Sequence, residues 1–364
     1  MPACKNCGAE KAAKILEFCG TCLKQMPEAA AAVAAAAHRR SRAPFPGAPP
    51  QTPGGVTCRA CANNCRLGPG ERGFCGLRLN RDGRLYHLAG TARKGLASWY
   101  HDPLPTNCVA DWVCPAGSAT GYPRYSYRPG IEYGFYNLAV FLGGCSFDCL
   151  FCQNRHYHQM ATLLGPLATP EELAAAVHED TACICFFGGD PSPQISFALK
   201  ASRLAQEKAR GRILRICWET NGNINPRFLP PVAELALDSG GCIKFDLKAY
   251  DDVLHRALTG VTNRQTLANF AALARYISRR PEPPFLVAST LLIPGYVDAA
   301  EVGAIARFIA GLNPDIPYSL LAFHPQHLMA DLPTTARGEA EACLEAALGA
   351  GLTRVRIGNV HLLR

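Results

Sequence analysis

The chain has 364 residues and 48% hydrophobic content, enough for one full core with length left for small appended modules, which excludes a disordered chain. Its formal charge of +8 would suit an anionic partner such as nucleic acid, but each metal-ligating cysteine binds as a thiolate and lowers that count, so charge alone assigns no partner. Eighteen cysteines in a chain this long point to metal or cluster ligation, because disulfide scaffolds belong to short secreted domains that lack a core.

Residues 1–28 carry Cys4, Cys7, Cys19 and Cys22 as two C-x2-C pairs, a spacing suited to a tetrahedral zinc site in a ribbon-like module. Gly8 and Gly20 each follow a cysteine and ease the turns that aim backbone amides at thiolate sulfurs. No apolar run near the start approaches the roughly 20 residues a bilayer requires. Residues 1–22 also lack the apolar core of a secretory signal, so the expectation is a cytoplasmic protein with no membrane partner. Residues 29–55 read as an alanine-rich helix and then a Pro/Gly-rich linker from Ala43 to Gly55.

Residues 56–130 form a second cysteine-rich segment. Cys58, Cys61, Cys65 and Cys75 are expected to hold zinc, with an auxiliary iron–sulfur cluster as the alternative. Cys108 and Cys114 would replace one of these ligands or remain free thiols. The stretch from Trp99 to Tyr136 is read as a packed connector in preference to a substrate-facing aromatic patch.

From residue 131 onward short apolar runs alternate with amphipathic segments. The runs predict strands over Asn137–Gly143, Ala182–Phe187, Ile213–Trp218, Cys242–Leu247, Phe285–Leu292 and Pro317–Phe323, with Thr353–Ile357 as a seventh candidate. Helices are expected over Pro170–Glu179, Gln194–Ala209, Pro226–Ser239, Gln265–Arg279, Ala299–Gly311 and Thr335–Gly349. Such alternation implies a parallel sheet and an α/β fold, a partial (β/α)6 TIM-like barrel preceded by the N-terminal cysteine-rich zinc-type modules. Cys183, Cys185, Cys217 and Cys242, within strands, and Cys343, within a helix, are expected as small core residues.

The unusual residues fall just past the strand ends: Cys145, Cys149 and Cys152; then Gly188-Gly189-Asp190-Pro191; Glu219 to Gly222; Asp246 to Lys248; Pro294-Gly295; and His324-Pro325. In parallel α/β folds that rim is where active sites are built. The spacing C-x3-C-x2-C puts three thiolates on one tight loop and leaves a fourth cluster corner without a protein ligand, free to bind a substrate. Phe151 stands where an aromatic face could pack over an adenine. The competing readings are a zinc site completed from a distance and three unrelated buried thiols.

The segment Gly143-Gly144-Cys145-Ser146-Phe147-Asp148-Cys149-Leu150-Phe151-Cys152-Gln153-Asn154 resembles the cluster loop of the radical S-adenosylmethionine (SAM) superfamily. Gly188 to Pro193, Glu219 to Gly222, Lys244 to Lys248 and Leu258 to Asn263 resemble the pyruvate formate-lyase activating enzyme group. Phe323-His324-Pro325 and Ile357 to Val360 look closer to its uncharacterised relatives paired with MEMO-like proteins, as does the second cysteine segment with Gly76 and Arg78. The resemblance covers about residues 137–360. It implies a [4Fe–4S] cluster on Cys145, Cys149 and Cys152, with SAM bound to the open iron. It further implies SAM contacts from Phe151, Gly188, Gly189, Asp190, Pro191, Glu219, Asn221, Asp246, Lys248, Ile293 and His324, with Lys248 facing the SAM carboxylate. Glu219 and Asp246 would serve the ribose hydroxyls or a monovalent cation. Asp190 stands where the activating enzymes usually carry glutamate, and Glu219 where they carry aspartate; charge is kept at both.

The activity so implied is reductive cleavage of SAM to a 5′-deoxyadenosyl radical that abstracts hydrogen from a protein or peptide, with a flavodoxin- or ferredoxin-type electron donor. Modification of a small molecule or RNA by the same radical is the alternative. A non-catalytic zinc-binding adaptor is a third reading, and it leaves the rim motifs unexplained.

Overall fold

The computed structural model describes residues 2–364. Among them, nine strands form one sheet: β1 (Gly95–Pro103), β2 (Tyr136–Leu142), β3 (Leu167–Ala168), β4 (Thr181–Phe187), β5 (Arg215–Thr220), β6 (Ile243–Asp246), β7 (Leu286–Leu292), β8 (Tyr318–Ala322) and β9 (Val355–Gly358). Their spatial order is β9-β8-β7-β6-β5-β4-β2-β1-β3, so the sheet is open, with β9 at one edge and β3 at the other. From β2 to β9 neighbouring strands are parallel, which places all seven expected strands, including the seventh candidate. β1 pairs antiparallel with β2 and β3 and was not expected from the sequence.

Helices follow the strands as the alternation predicts, including Ile195–Lys208, Leu229–Ser239, Ala299–Leu312 and Arg337–Gly349. Two further helices, His156–Leu163 and Asp252–Thr259, were not foreseen. The second is fixed at both ends: Asp251 accepts from the Leu254 amide, and Gly260 stops it in the left-handed region at φ 75°.

Alternation along each strand divides the sheet into two faces. Leu138, Val140, Ile184, Phe186, Ile216, Trp218, Ile243 and Phe245 point one way and form the helix-covered core, where the Phe186 and Trp218 rings stack 4.8 Å apart. The opposite face lines the inside of the partial barrel. There register sets Phe141 beside Phe187, Cys185 beside Cys217 and Glu219 beside Lys244.

The N-terminal modules are packed on the strand-end rim. Helix Pro27–Arg42 lies against Asp252–Thr259, so the alanine-rich part of the expected linker is a packed element rather than a tether. The first cysteine module docks beyond β7: the Tyr296 hydroxyl accepts from the Ala13 amide and donates to the Phe18 carbonyl, and the Gly20 amide donates to the Gly295 carbonyl. A Cβ at Gly295 would lie 2.2 Å from the Lys11 carbonyl oxygen, so this seat requires a glycine.

Candidate cluster site and the chamber beneath it

Gly143 and Gly144 turn the chain from β2 into the cysteine loop. A Cβ at Gly143 would lie 2.4 Å from the Leu96 side chain, and Gly144 holds φ 90°, so neither position accepts a larger residue. Cys145, Cys149 and Cys152 then line a cavity of about 160 Å³. Burial pushes the thiols up, Cys149 to about 12 and Cys152 to about 11, and Cys145 further still with Asp190 beside it. Thiolates at these positions therefore need a bound cation. Two donors already face the Cys145 sulfur: the Phe147 amide at 3.4 Å and Asn221 Nδ2 at 3.6 Å.

Phe151, Gly188, Gly189, Glu219, Asn221, Asp246 and Lys248 line the same cavity. The glycines form a bare backbone edge: a Cβ at Gly188 would meet Phe141 at 2.1 Å, and one at Gly189 would meet the Leu142 carbonyl at 2.2 Å. Lys248 pairs with Asp246 at 2.8 Å and lies 5.9 Å from the centre of the Phe151 ring. Burial pulls its pKa down, but Asp246 and the thiols of Cys149 and Cys152 raise it overall, so it stays an ammonium. Glu219 pairs with Lys244 at 2.7 Å. Each of these two rim carboxylates thus has a lysine partner.

Asp190 and Pro191 are buried behind the glycine edge, outside the cavity lining. Asp190 accepts from Ser146 Oγ, the Ser192 amide, Thr220 Oγ1 and the Asn221 amide at 2.7–3.2 Å, tying together the loops after β2, β4 and β5. Ile293 is fully buried in the core, and His324 is exposed beside Gln326; neither lines the cavity. Tyr157, Phe187, Leu291 and Leu321 do line it and went unnoticed in the sequence. Phe187, Leu291 and Leu321 lie on the inward-facing rows of β4, β7 and β8, so strand alternation carried the signal.

The cysteine loop is clasped from outside. His38 Nδ1 and Ser41 Oγ, from the end of helix Pro27–Arg42, each lie 2.8 Å from a carboxylate oxygen of Asp148, and Arg155 Nη1 lies 3.4 Å away. From the second cysteine segment, Asn63 Nδ2 donates to the Ser146 carbonyl at 2.7 Å, and Asn223 Nδ2 donates to Asn63 Oδ1 at 2.8 Å. These N-terminal contacts cover the loop without entering the cavity.

A second, larger cavity of about 340 Å³ lies inside the barrel and shares Phe187 and Glu219 with the first. Cys183, Cys185 and Cys242 are buried, as expected of small core residues, and together with the half-buried Cys217 they also line this cavity, because the inward row of these strands faces a hollow. Cys343 is buried in the core as expected. Cys108 and Cys114 line the same chamber and so are not ligands of the second cysteine quartet. Lys244 Nζ reaches Cys108 Sγ at 3.0 Å and Cys185 Sγ at 3.1 Å. Residues 104–118, which belong to the expected connector, form the outer wall: Ser319 Oγ donates to the Val109 carbonyl, Trp112 Nε1 donates to Ser319 Oγ, and Asp111 pairs with Arg356 of β9.

In the first quartet the sulfurs of Cys4, Cys7, Cys19 and Cys22 all lie within 4.8 Å of one another. A Zn–S bond of about 2.3 Å would set the thiolates of a tetrahedral site about 3.8 Å apart, so this arrangement can hold a single metal ion.

Residues 140–309 match the model of the Radical SAM superfamily. The chain is 26% identical over 312 residues to an uncharacterised protein of Methanocaldococcus jannaschii, covering 84% of this chain and 81% of that one. It is 31% identical over 183 residues to an isethionate sulfite-lyase activating enzyme of Oleidesulfovibrio alaskensis, covering 48% of this chain and 55% of that one, about half of the relative's length. To the pyruvate formate-lyase 1-activating enzyme of Escherichia coli it is 26% identical over 209 residues, covering 54% of this chain and 77% of that one. Among solved structures, a radical SAM methyltransferase from Sphaerobacter thermophilus aligns with a TM-score of 0.45 at 20% identity, covering 61% of this chain and 67% of that one.

Proposed function

For a chain that carries a radical SAM domain and is an enzyme of that class, we propose that Cys145, Cys149 and Cys152 hold a [4Fe–4S] cluster and that the enzyme abstracts a hydrogen atom from a protein or peptide substrate. The residues fit such a group: three thiols on one loop, two donors at the Cys145 sulfur and a glycine edge with no side chain in the way. With SAM on the open iron, the cluster supplies one-electron cleavage of the sulfonium to methionine and a 5′-deoxyadenosyl radical, using an electron from a flavodoxin- or ferredoxin-type donor.

The chain's own residues bind and orient SAM. The Lys248 ammonium receives the SAM carboxylate, and the backbone at Gly188 and Gly189 offers its polar groups to the amine. Glu219 and Asp246 keep acceptor capacity for the ribose hydroxyls while each bonds a lysine. Phe151 lies against the adenine. The clasp on Asp148 and the second cysteine segment keep water from the loop.

The observation that carries the reading is the single cavity lined by Cys145, Cys149 and Cys152 together with Gly188, Gly189 and Lys248. The test is 5′-deoxyadenosine formation from SAM after anaerobic reconstitution and reduction. A reconstituted, iron-loaded chain that forms none under any reductant would refute it. The activating enzymes among the relatives support a protein substrate.

A small-molecule substrate is favoured by one feature: the chamber's volume lies in the range of about 300–1,000 Å³ typical of small-ligand sites, with Lys244 and Arg215 as charged walls. Fractionating a cell extract by size separates the two readings. The macromolecular fraction stimulates 5′-deoxyadenosine formation under the first, and the low-mass fraction under the second.

A further inference from the structure

Cys58, Cys61, Cys65 and Cys75 are all buried, and none lines either cavity. Backbone amides are aimed at three of the sulfurs: Ala60 at Cys58, Asn63 at Cys61 and Phe74 at Cys65. This is how a loop stabilises thiolate ligands. Four buried cysteines with amides aimed at their sulfurs form the donor set of a metal site.

Spacing separates the candidates. Among the described residues, Cys4, Cys7, Cys19 and Cys22 are the one group of three or more ligating side chains whose ligand atoms all fall within 4.8 Å of one another. The second quartet is wider than that, as is the triad of Cys145, Cys149 and Cys152. A single zinc ion needs the narrow spacing. A cubane of iron and sulfide sets its thiolates at the corners of a larger tetrahedron.

A buried cation marks the same place. Arg78 is 1% exposed; its Nη atoms donate to the carbonyls of Leu77, Ala89 and Pro193, its guanidinium lies beside the Cys58 thiol and favours the thiolate there, and Nε has no hydrogen-bond partner among the described residues. A buried guanidinium with an unmade hydrogen bond is strongly unfavourable unless an anion with spare acceptors stands near it. A cluster supplies both negative charge and bridging sulfides.

The quartet also sits against the triad. Cys58 and Cys65 share one buried cluster of side chains with Phe74, Cys145, Phe147 and Tyr157, and Cys149 and Cys152 pack on its margin. The Cys75 carbonyl lies 3.0 Å from where a Cβ on Gly144 would be.

We infer that Cys58, Cys61, Cys65 and Cys75 bind a second iron–sulfur cluster, in place of the zinc expected there, and that it passes electrons to the cluster on the triad. Four cysteines saturate its irons, so it transfers electrons and performs no chemistry on a substrate. A one-electron protein donor reduces it, and the same single electron moves on to the triad's cluster, with no bond made or broken. The relay rests on the triad's cluster as proposed above; the second cluster itself does not.

The test is iron, sulfide and zinc analysis of the full chain prepared anaerobically. A variant with Cys145, Cys149 and Cys152 all changed to Ala is expected to keep about four irons and four sulfides per chain. Finding no iron and two zinc ions in that variant would overturn the assignment. Should that variant fail to fold, the double substitution Cys61→Ser with Cys75→Ser serves instead. It is expected to lower iron from about eight to about four per chain while leaving zinc unchanged. Unchanged iron with one zinc lost would overturn the second cluster. If instead wild type carries about four irons, lost with Cys61→Ser and kept with Cys149→Ala, the triad reading fails while the second cluster stands. For the relay, the double variant should lose 5′-deoxyadenosine formation driven by flavodoxin and retain it with dithionite. Equal activity with both donors would refute the relay.

Discussion

The two cysteine quartets contain the same four ligands and are built differently. The first is a satellite: Cys4, Cys19 and Cys22 form a small core of their own with Ala12, Cys7 is exposed, and the module is anchored on the barrel by Ala13, Leu16 and Leu23, which join the main core, and by hydrogen bonds to Tyr296, Gly295 and Asp331. The second is part of the wall, sharing its buried side chains with the triad and hydrogen bonding to the loops after β2 and β5. Cysteine count therefore does not fix the role of a metal site. Spacing between sulfurs and depth in the fold do.

The sharpest division this comparison makes is between the triad and the satellite. Cys149→Ala is expected to abolish 5′-deoxyadenosine formation by removing a ligand of the proposed cluster, while the zinc expected in the first quartet stays at wild-type level; product at the wild-type rate, measured by chromatography, would end the comparison. The reverse experiment is Cys22→Ala. Zinc in a structural site carries about 10–16 kcal/mol of apparent binding free energy. Its loss should unfold the satellite, read as rapid proteolysis within residues 1–26, with iron content retained.

A smaller effect is expected where the wall is clasped. Asp148→Ala would leave His38 and Arg155 facing each other without their shared carboxylate, at a cost of about 3–5 kcal/mol. The urea midpoint should fall accordingly. Tyr296→Phe removes the hydroxyl that serves the Ala13 amide and the Phe18 carbonyl, a loss of about 1–3 kcal/mol. Faster hydrogen exchange at Ala13, with exchange in the second cysteine segment unchanged, would sharpen the division between satellite and wall.

The parallel strands were legible because they are buried on both faces and read as continuous apolar runs, and the cluster loop because its three cysteines and their spacing are local. β1 was missed for the opposite reason. Its sequence, Gly95 to Pro103, mixes Gly, Asp and Pro with aromatics, and it is half exposed beyond Ala97, where the short edge strand β3 no longer covers it and pairing with β2 rather than composition makes the strand. The cavity beside the inward strand cysteines was not legible because alternation tells which face a residue takes, not whether that face is filled or hollow. Lys244 was noticed only as part of a motif, and its place in the chamber was not legible for a related reason. Its contacts with Glu219, Cys108 and Cys185 come from three separate segments and depend on register.

Residues 104–118 give the open sheet something its strand order lacks, a seam. The segment leaves β1 on one side, where Thr106 bonds Asp102, and reaches β9 on the other, where Asp111 meets Arg356 and Trp112 lies 5.5 Å from the guanidinium. A molecule seated beside Lys244 is fenced laterally by the chain itself before any partner arrives. That flank is fastened by the partly exposed Asp111–Arg356 pair and by the hydrogen bonds of Val109 and Trp112 to Ser319; rising ionic strength loosens only the first, so dwell time inside should shorten by a small factor with salt.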